Sequence, residues 1–560
     1  MKDIDAIPLR APEKVMRLKR LGSFHQCRLS FMRNLLRRVS GEGWTFTRAA
    51  FEIDDTGVGH AVYTAAGPDH SYSLVAFAHD LPDDQRSDRV IAEAWDATFT
   101  LFDGVPNAED IARLSGNVPV QEAGRVSEDE LTLSRANRSV RLWTHVIDAL
   151  AQGKQPDIDQ IDAVGYLMRT TAVYGSGKFG AADRAKIKDR PEMSAPFQAE
   201  MLTVYLIRTF VRDLAEHMAR AKGGDAAVRL DPAIARRLGI GNSTGLGMAP
   251  FIVNHPILFN NWIAAREEAI SRVRALETAS ADEITHFRDL FARSEVMVSR
   301  RTSQHPIQIA RIADLTADLH AARMWIDTEA NWGIRPWNAL MQWAEDTLSE
   351  EGQELIGSLL LEPYGDLVDD LVTQMSDDNT EAFRISGAMP VGEVIELIKN
   401  AFDWATDLDW SSHENSARLW YVSEEKLEPR LGERFEEPIM DYEQPLAPAR
   451  DAAFALEALA DWDATKPIAA FLLKHPEHRH TIRRAQMSRV APYGEIHDNT
   501  IAADVMPIDM LRAKLSFFGA IHFDPRSDRW VRICMYQGAP YPDELGAACP
   551  DDWVYPTMVS

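Results

Sequence analysis

Gly239-Ile-Gly-Asn-Ser-Thr-Gly-Leu-Gly-Met-Ala-Pro-Phe-Ile-Val-Asn-His-Pro256 sets four glycines, two hydroxyls, two asparagines and a histidine between two helical patterns. Glycine is kept where the backbone needs positive φ or where another group approaches closely. The stretch therefore reads as a small-ligand loop. Asn242, Ser243 and Thr244 are donors suited to a developing oxyanion. Pro256 suits the first turn of a helix. Asn254 and His255 then lie at that helix's N-terminus, where backbone N–H groups and the dipole favour an anion. The same setting favours neutral imidazole, which suits His255 to general-base work. N-capping by Asn254 and a tight helix crossing at the glycines compete with this function.

Outward from the loop, the helical period dominates. Ser127-Glu-Asp-Glu130 resembles a capping box, followed by Leu131, Leu133, Val140, Leu142, Trp143, Val146 and Leu150. Further helices are expected over 158–172, 197–222, 256–278, 281–298, 307–330, 336–348, 351–361 and 391–404. Before residue 125 the period is two. Segments 44–53, 60–65, 72–79 and 90–102 alternate, with turn clusters at 54–57 and 67–69, as in an antiparallel meander. The expected fold is mainly α: a large helical body, a small N-terminal antiparallel β (α+β) region and a mixed α/β C-terminal region. Four units are expected: 1–125, basic helix plus sheet; 126–404, helical body with glycine-rich loops; 405–450, an acidic extended excursion or lid; and 451–560, helical then mixed, with a strand at Trp530–Met535.

The chain has 560 residues, 45% hydrophobic and 26% charged, and a net charge of −25. That length suits several domains and a large core. Such an acidic surface repels phosphate backbones, so general nucleic-acid binding is not expected. Residues 1–40 are the exception, with ten Lys/Arg against three Asp/Glu. They read as an amphipathic basic helix docking on an acidic body, with a membrane or nucleic-acid surface as the alternative. The three cysteines show no CxxC spacing, which suits a reducing cytoplasm. Neither a secretory leader nor a transmembrane run is read from the sequence.

Other polar clusters are weighed by chemistry. Tyr174-Gly-Ser-Gly-Lys-Phe-Gly180 lacks the first glycine and the Ser/Thr of a P-loop. It leaves Lys178 and Arg184 as candidates to meet a substrate carboxylate or phosphate. Arg301, after Arg300, and His305 before Pro306 repeat the logic of an anion at a helix start. His413 in the 411–415 cluster has no HExxH partner, so a zincin is excluded. His475 and His478 share a helical face, and Glu495 and His497 share a face if extended. Each pair is a metal option, and the second is also an acid/base option. Otherwise no cofactor is expected. Over a short stretch, Met248-Ala-Pro-Phe-Ile-Val-Asn-His-Pro256 resembles the flexible Gly-Ser-Ser-x-Met-Pro-x-Lys-x-Asn-Pro loop of the fumarase/aspartase superfamily. The family's Ser-Ser pair and loop lysine are missing here, so no membership follows.

Together these residues suggest an enzyme acting on a small anionic metabolite, a lyase, isomerase or hydrolase, by lyase-like proton abstraction. His255, Asn242, Ser243, Glu495 and His497 are the catalytic candidates. Lys178, Arg184, Thr244, Asn254, Arg301 and His305 are the substrate-binding candidates. A non-catalytic helical scaffold forming homo-oligomers is the alternative, and a flavin or haem protein a further one. A homodimer in the cytoplasm is expected.

Overall fold

In the computed structural model of this chain the described residues are 7–82, 93–170, 184–245, 256–303, 306–375, 386–410, 420–423, 429–431, 443–445, 449–497, 509–520, 522–527, 530–546 and 553. They are mainly helical. The strands are β1 (Thr45–Ile53), β2 (Gly59–Ala66), β3 (Ser71–Ala78), β4 (Ala97–Asp103), β5 (Glu130–Arg138), β6 (Tyr166–Thr170) and β7 (Gly239–Gly245). β8 (Trp420–Ser423), β9 (Pro429–Leu431) and β10 (Glu443–Pro445) follow, then β11 (His522–Ser527) and β12 (Trp530–Met535). Nine of them form one sheet in the order β1-β2-β3-β4-β5-β6-β7-β12-β11. Every pairing in it is antiparallel except β6 with β7. β8–β10 form a separate three-stranded sheet within the expected acidic excursion.

Three expectations are corrected. The glycine stretch is a strand, not a loop, through Gly245. Its glycines serve close packing between strands. A Cβ on Gly241 would lie 2.6 Å from the Tyr166 ring, and one on Gly239 would lie 2.3 Å from the Met535 carbonyl oxygen. The Ser127–Glu130 segment does not cap a helix. Glu130 opens β5, where Leu131 and Leu133 alternate with Thr132 and Ser134, and the helix begins only at Trp143. The helix expected over 158–172 stops at Val164, because Gly165 adopts φ +78° as its C-cap and releases the chain into β6.

The Gln198–Gly223 helix packs against β2–β5 and β7. Phe210 meets Tyr63 and Phe99 edge-on, and Tyr205 meets Phe46 and Tyr536. A helix buried nearly all round in its central turns needs cover on both sides. The Phe31–Gly41 helix and the C-terminal Tyr536 and Trp553 contribute that second layer. The remaining body contains Pro256–Arg274, Ala281–Ser299, Pro306–Ile326, Pro336–Thr347 and Glu350–Leu359. A second core lies in the helices Val391–Ala401, Ala449–Leu459, Ile468–Leu472 and Arg479–Ser488. Among the described residues no helix is long and apolar enough to cross a membrane.

The basic N-terminal segment docks on acidic groups of its own chain. It is not one helix but Pro12–Val15, Leu18–Leu21 and Phe31–Gly41, joined by an irregular turn. Arg10 binds Glu267 and Glu354 at 2.7 Å each, and Arg20 reaches Glu354 at 2.8 Å. Arg266 binds Glu354 at 2.6 Å and Glu267 at 3.0 Å. Arg33 pairs bidentately with Glu362 at 2.6 Å, and Arg28 with Asp369 at 2.7 Å.

Three mutations test this packing. Glu354→Ala removes the carboxylate shared by three buried guanidiniums, and urea unfolding is expected to show a loss of about 3–5 kcal/mol. Lys222→Ala, which breaks an exposed pair with Asp148, is expected to cost under about 1 kcal/mol. Equal, small effects would mean the buried network does not hold the arm. Gly241→Ala is expected to cost about 1–3 kcal/mol by overpacking Tyr166, and a neutral result would remove the close-approach explanation.

Candidate functional site

The arm brings one histidine into the body. His25 lies in the turn after the Leu18–Leu21 helix. Its carbonyl accepts from Ser358 Oγ at 3.2 Å and also from Ser516 Oγ. Gly22, just before it, allows the arm to lie against the Asp509–Phe518 helix, since a Cβ there would sit 2.5 Å from Asp509 Cβ. Across the turn, backbone hydrogen bonds from His497 N to Met16 O (2.8 Å) and from Leu18 N to His497 O (3.2 Å) clamp the arm.

His25 faces a cluster of charges drawn from four elements. Glu351, in the first turn of the Glu350–Leu359 helix, receives Arg512 Nη2 at 2.5 Å. The same Glu351 Oε1 lies 3.8 Å from His25 Nε2 and 3.9 Å from Arg301 Nη1. Arg311 grips Asp509 bidentately at 2.6 and 2.9 Å, and Arg512 Nη1 lies 3.9 Å from Asp509. His25, Glu351, Asp509 and Arg512 are all buried, and Arg301 is the member that reaches solvent. Among the described residues His25 Nε2 has no hydrogen-bond partner.

Burial, and then the Arg301 guanidinium, push His25 down to about 3, with Glu351 opposing. The ring is therefore neutral near pH 7. Burial acts to raise Glu351, but Arg512 outweighs it and holds the carboxyl below its ordinary value. The cluster is thus an unprotonated imidazole beside an ionised carboxylate and fixed guanidiniums. Such a set can accept a proton and hold an anion.

Of the residues expected at a site, Arg301 is in this cluster. His497 stands at the arm by its backbone. Glu495 is buried and bidentate to Arg484 at 2.6 and 2.8 Å, so its ion pair is with Arg484 and not with His497. Asn242 is fully buried, and its amide donates to the Thr170 carbonyl at 3.0 Å, tying β7 to β6. This corrects its expected place in an open oxyanion loop. Ser243 and Thr244 are β7 residues paired with Arg532 and Val531. Arg184 opens a four-residue helix. Lys178, Asn254, His255 and His305 lie outside the described residues, as does His413. β6 and β7 run parallel, so Thr170 and Gly245 stand at the same end of their strands.

His475 and His478 both stack on Phe471, in the second core. His478 Nδ1 bonds Asp451 at 2.8 Å, and His475 Nδ1 bonds Glu477 at 3.3 Å. Among the described residues no group of three His, Cys, Asp or Glu side chains is arranged to hold a metal ion.

Sequence reasoning missed His25, Glu351, Asp509 and Arg512. His25 is one polar position in a basic, amphipathic run, and the carboxylates are single acids in ordinary helices. The only local signal is Gly22, a small residue in a run otherwise suited to helix. Comparisons with protein-family models, with curated proteins and with solved structures give no match to this chain.

The histidine's environment has a measurable signature. The unfolded chain takes up a proton on His25 from about pH 6.5 downward, whereas the folded chain does so only near 3. The stability that goes with a neutral His25 is full above pH 6.5 and is lost as pH falls toward 3. Between pH 7 and 5, urea unfolding is expected to show wild type losing about 1–2 kcal/mol more than His25→Asn. Parallel losses would show that His25 titrates normally.

Proposed function

We propose that the chain is an enzyme that removes a proton from a small anionic metabolite, with His25 as the base. The observation that carries this is the buried, neutral His25 whose Nε2 has no hydrogen-bond partner among the described residues and lies beside Glu351, within a cluster that includes Arg301. An unpaired ring nitrogen in the interior costs free energy, of order 1–3 kcal/mol. A substrate proton is the natural partner for it. Arg301, the partly exposed member, would meet the substrate's carboxylate or phosphate. A bound anion also offsets the positive field that weakens His25 as a base, so basicity rises when substrate arrives.

In the lyase form of the reaction, the proton on the carbon next to the substrate's carboxylate passes to His25 Nε2. The electron pair left on that carbon forms a C=C bond as a group on the neighbouring carbon departs with its own bonding pair. Arg301 and its neighbours stabilise the developing negative charge. An isomerase would return the same proton elsewhere on the substrate.

The proton-abstraction step is testable before the substrate is known. The protein is incubated in D2O with a panel of small carboxylates and phosphorylated acids, and deuterium incorporation is followed by NMR. Exchange on one class is expected, reduced by about 100-fold or more in folded His25→Asn. Absence of exchange across the panel, or exchange unchanged in the variant, rejects the proposal.

A further inference from the structure

The Arg479–Ser488 helix turns Ile482 and Ala485 into the second core and leaves Arg479, His480 and Arg483 exposed. Their i, i+3 and i, i+4 spacings put the three on one helical face. The His480 ring accepts from Arg479 Nε at 3.3 Å. Burial, and then Arg479 and Arg483, hold its imidazole below the ordinary value, with Asp451 opposing. The guanidinium charges therefore converge on this face. Their placement is unfavourable to the helix. Arg479 and His480 occupy its first turn, which contains no acid, and positive charge at that end opposes the dipole. Arg479 and Arg483 also repel each other across one turn.

The nearby carboxylates are engaged with other groups. Asp451 accepts from His478 at 2.8 Å and from Thr481. Glu477, the one acid in residues 474–484, lies 3.3 Å from His475. Glu495 is bidentate to Arg484, and Glu393 pairs with Arg489 at the far end of the helix. Among the described residues no carboxylate pairs with Arg479, or with Lys474, which lies over the Trp462 ring at 5.2 Å. Both cations are exposed. Leu473, next to Lys474, is 86% exposed, an apolar side chain left in water just before the turn that leads into the helix.

We infer that this face is a docking surface for an acidic segment of a partner protein, one with a run of Asp or Glu beside an apolar residue. Charge complementarity carries the assignment: the patch is basic on a chain of net charge −25, and the carboxylates around it are already paired. A peptide segment fits better than a nucleic acid. Fields decay over about 8 Å at physiological salt, so a short segment feels the patch alone, whereas a polyphosphate chain runs on over an acidic body. Leu473 offers an apolar contact that a phosphate backbone does not use. The face shares no residue with the His25 cluster, so docking and proton abstraction stand or fall separately.

The full chain is titrated into three fluorescent probes: an octaglutamate peptide with a central leucine, the same peptide with glutamine for every glutamate, and octathymidylate. Binding is followed by anisotropy at about 50 and about 300 mM salt. Wild type is expected to bind the acidic peptide saturably at low salt and at least about fivefold more weakly at high salt, and not to bind the glutamine peptide. Arg479→Glu is expected to bind the acidic peptide at least about tenfold more weakly, with Arg479→Gln in between. Lys222→Glu makes the same change in net charge at an exposed residue elsewhere and is expected to stay within about twofold of wild type. Arg479→Glu is expected to melt no lower than wild type, because an acid suits the first turn of a helix.

No saturable binding of the acidic peptide by wild type overturns the proposal. So does wild-type affinity in both Arg479 variants, or an equal loss in Lys222→Glu, which would make net charge the cause. Octathymidylate bound as tightly as the acidic peptide would replace the protein partner with a nucleic acid. An Arg479→Glu variant that melts well below wild type overturns the premise that Arg479 lacks a carboxylate partner in its own chain.

Discussion

The structure depends on a buried knot of charge. Glu354, fully enclosed, accepts hydrogen bonds from Arg10, Arg20 and Arg266, while Glu267 takes Arg10 and Arg266. Burial opposes ionisation of Glu354, but Arg10, Arg266 and Arg20 outweigh it and hold the carboxyl well below its ordinary value. Charge so deep is stable only when its partners are complete, because each ion has lost its hydration. Removing one member leaves another uncompensated. The knot therefore acts as a register mark more than as a source of net stability, since well-packed apolar groups would stabilise the same volume comparably. It accepts one position of the N-terminal arm, with Arg10 and Arg20 both seated, and that position places His25 against Glu351.

A second constraint closes the sheet. β6 and β7 are neighbours although the Gln198–Gly223 helix lies between them in sequence, and β12 completes the other side of β7 from the far end of the chain. Parallel strands need a long crossover, and here it contains that buried helix. Glycines at 239 and 241 let Met535 and Tyr166 approach the strand from either side. The sheet, the long helix and the C-terminal strands form one continuous core, whereas residues 391–485 build their own. The cluster at His25 lies where the arm, the Glu350–Leu359 helix and the Asp509–Phe518 helix meet, so no local segment contains it.

Much of the fold was legible where one periodicity dominated. β1, β2 and β3 follow from alternation between turn clusters. The helices at 198–223, 281–299 and 336–347 follow from their apolar stripes. Trp530–Met535 read as a strand and is β12. The failures share a cause. Leu131 and Leu133, two apart, suit either period over so short a run, and only pairing with β4 made that segment a strand. The glycines of β7 have no side chains to show alternation, so the strand was invisible until Tyr166 and Met535 were seen against it. The site was less legible than the fold. Arg301, singled out for its place before a helix start, lies in the His25 cluster, but His25, Glu351, Asp509 and Arg512 are far apart in the chain and carry no spacing rule.

Composition and periodicity by themselves determined that this chain is mainly helical, that its first hundred residues hold an antiparallel meander, and that its basic N-terminus seeks acidic groups. These are local properties: each is fixed by neighbours within a few residues along the chain. Tertiary structure alone decided that the acidic groups belong to the same chain, that a glycine-rich stretch is a central strand, and that a histidine from the arm meets a glutamate more than three hundred residues away. Those outcomes depend on which buried surfaces and charges complement one another across the whole molecule, and complementarity between distant segments leaves no periodic trace in either of them.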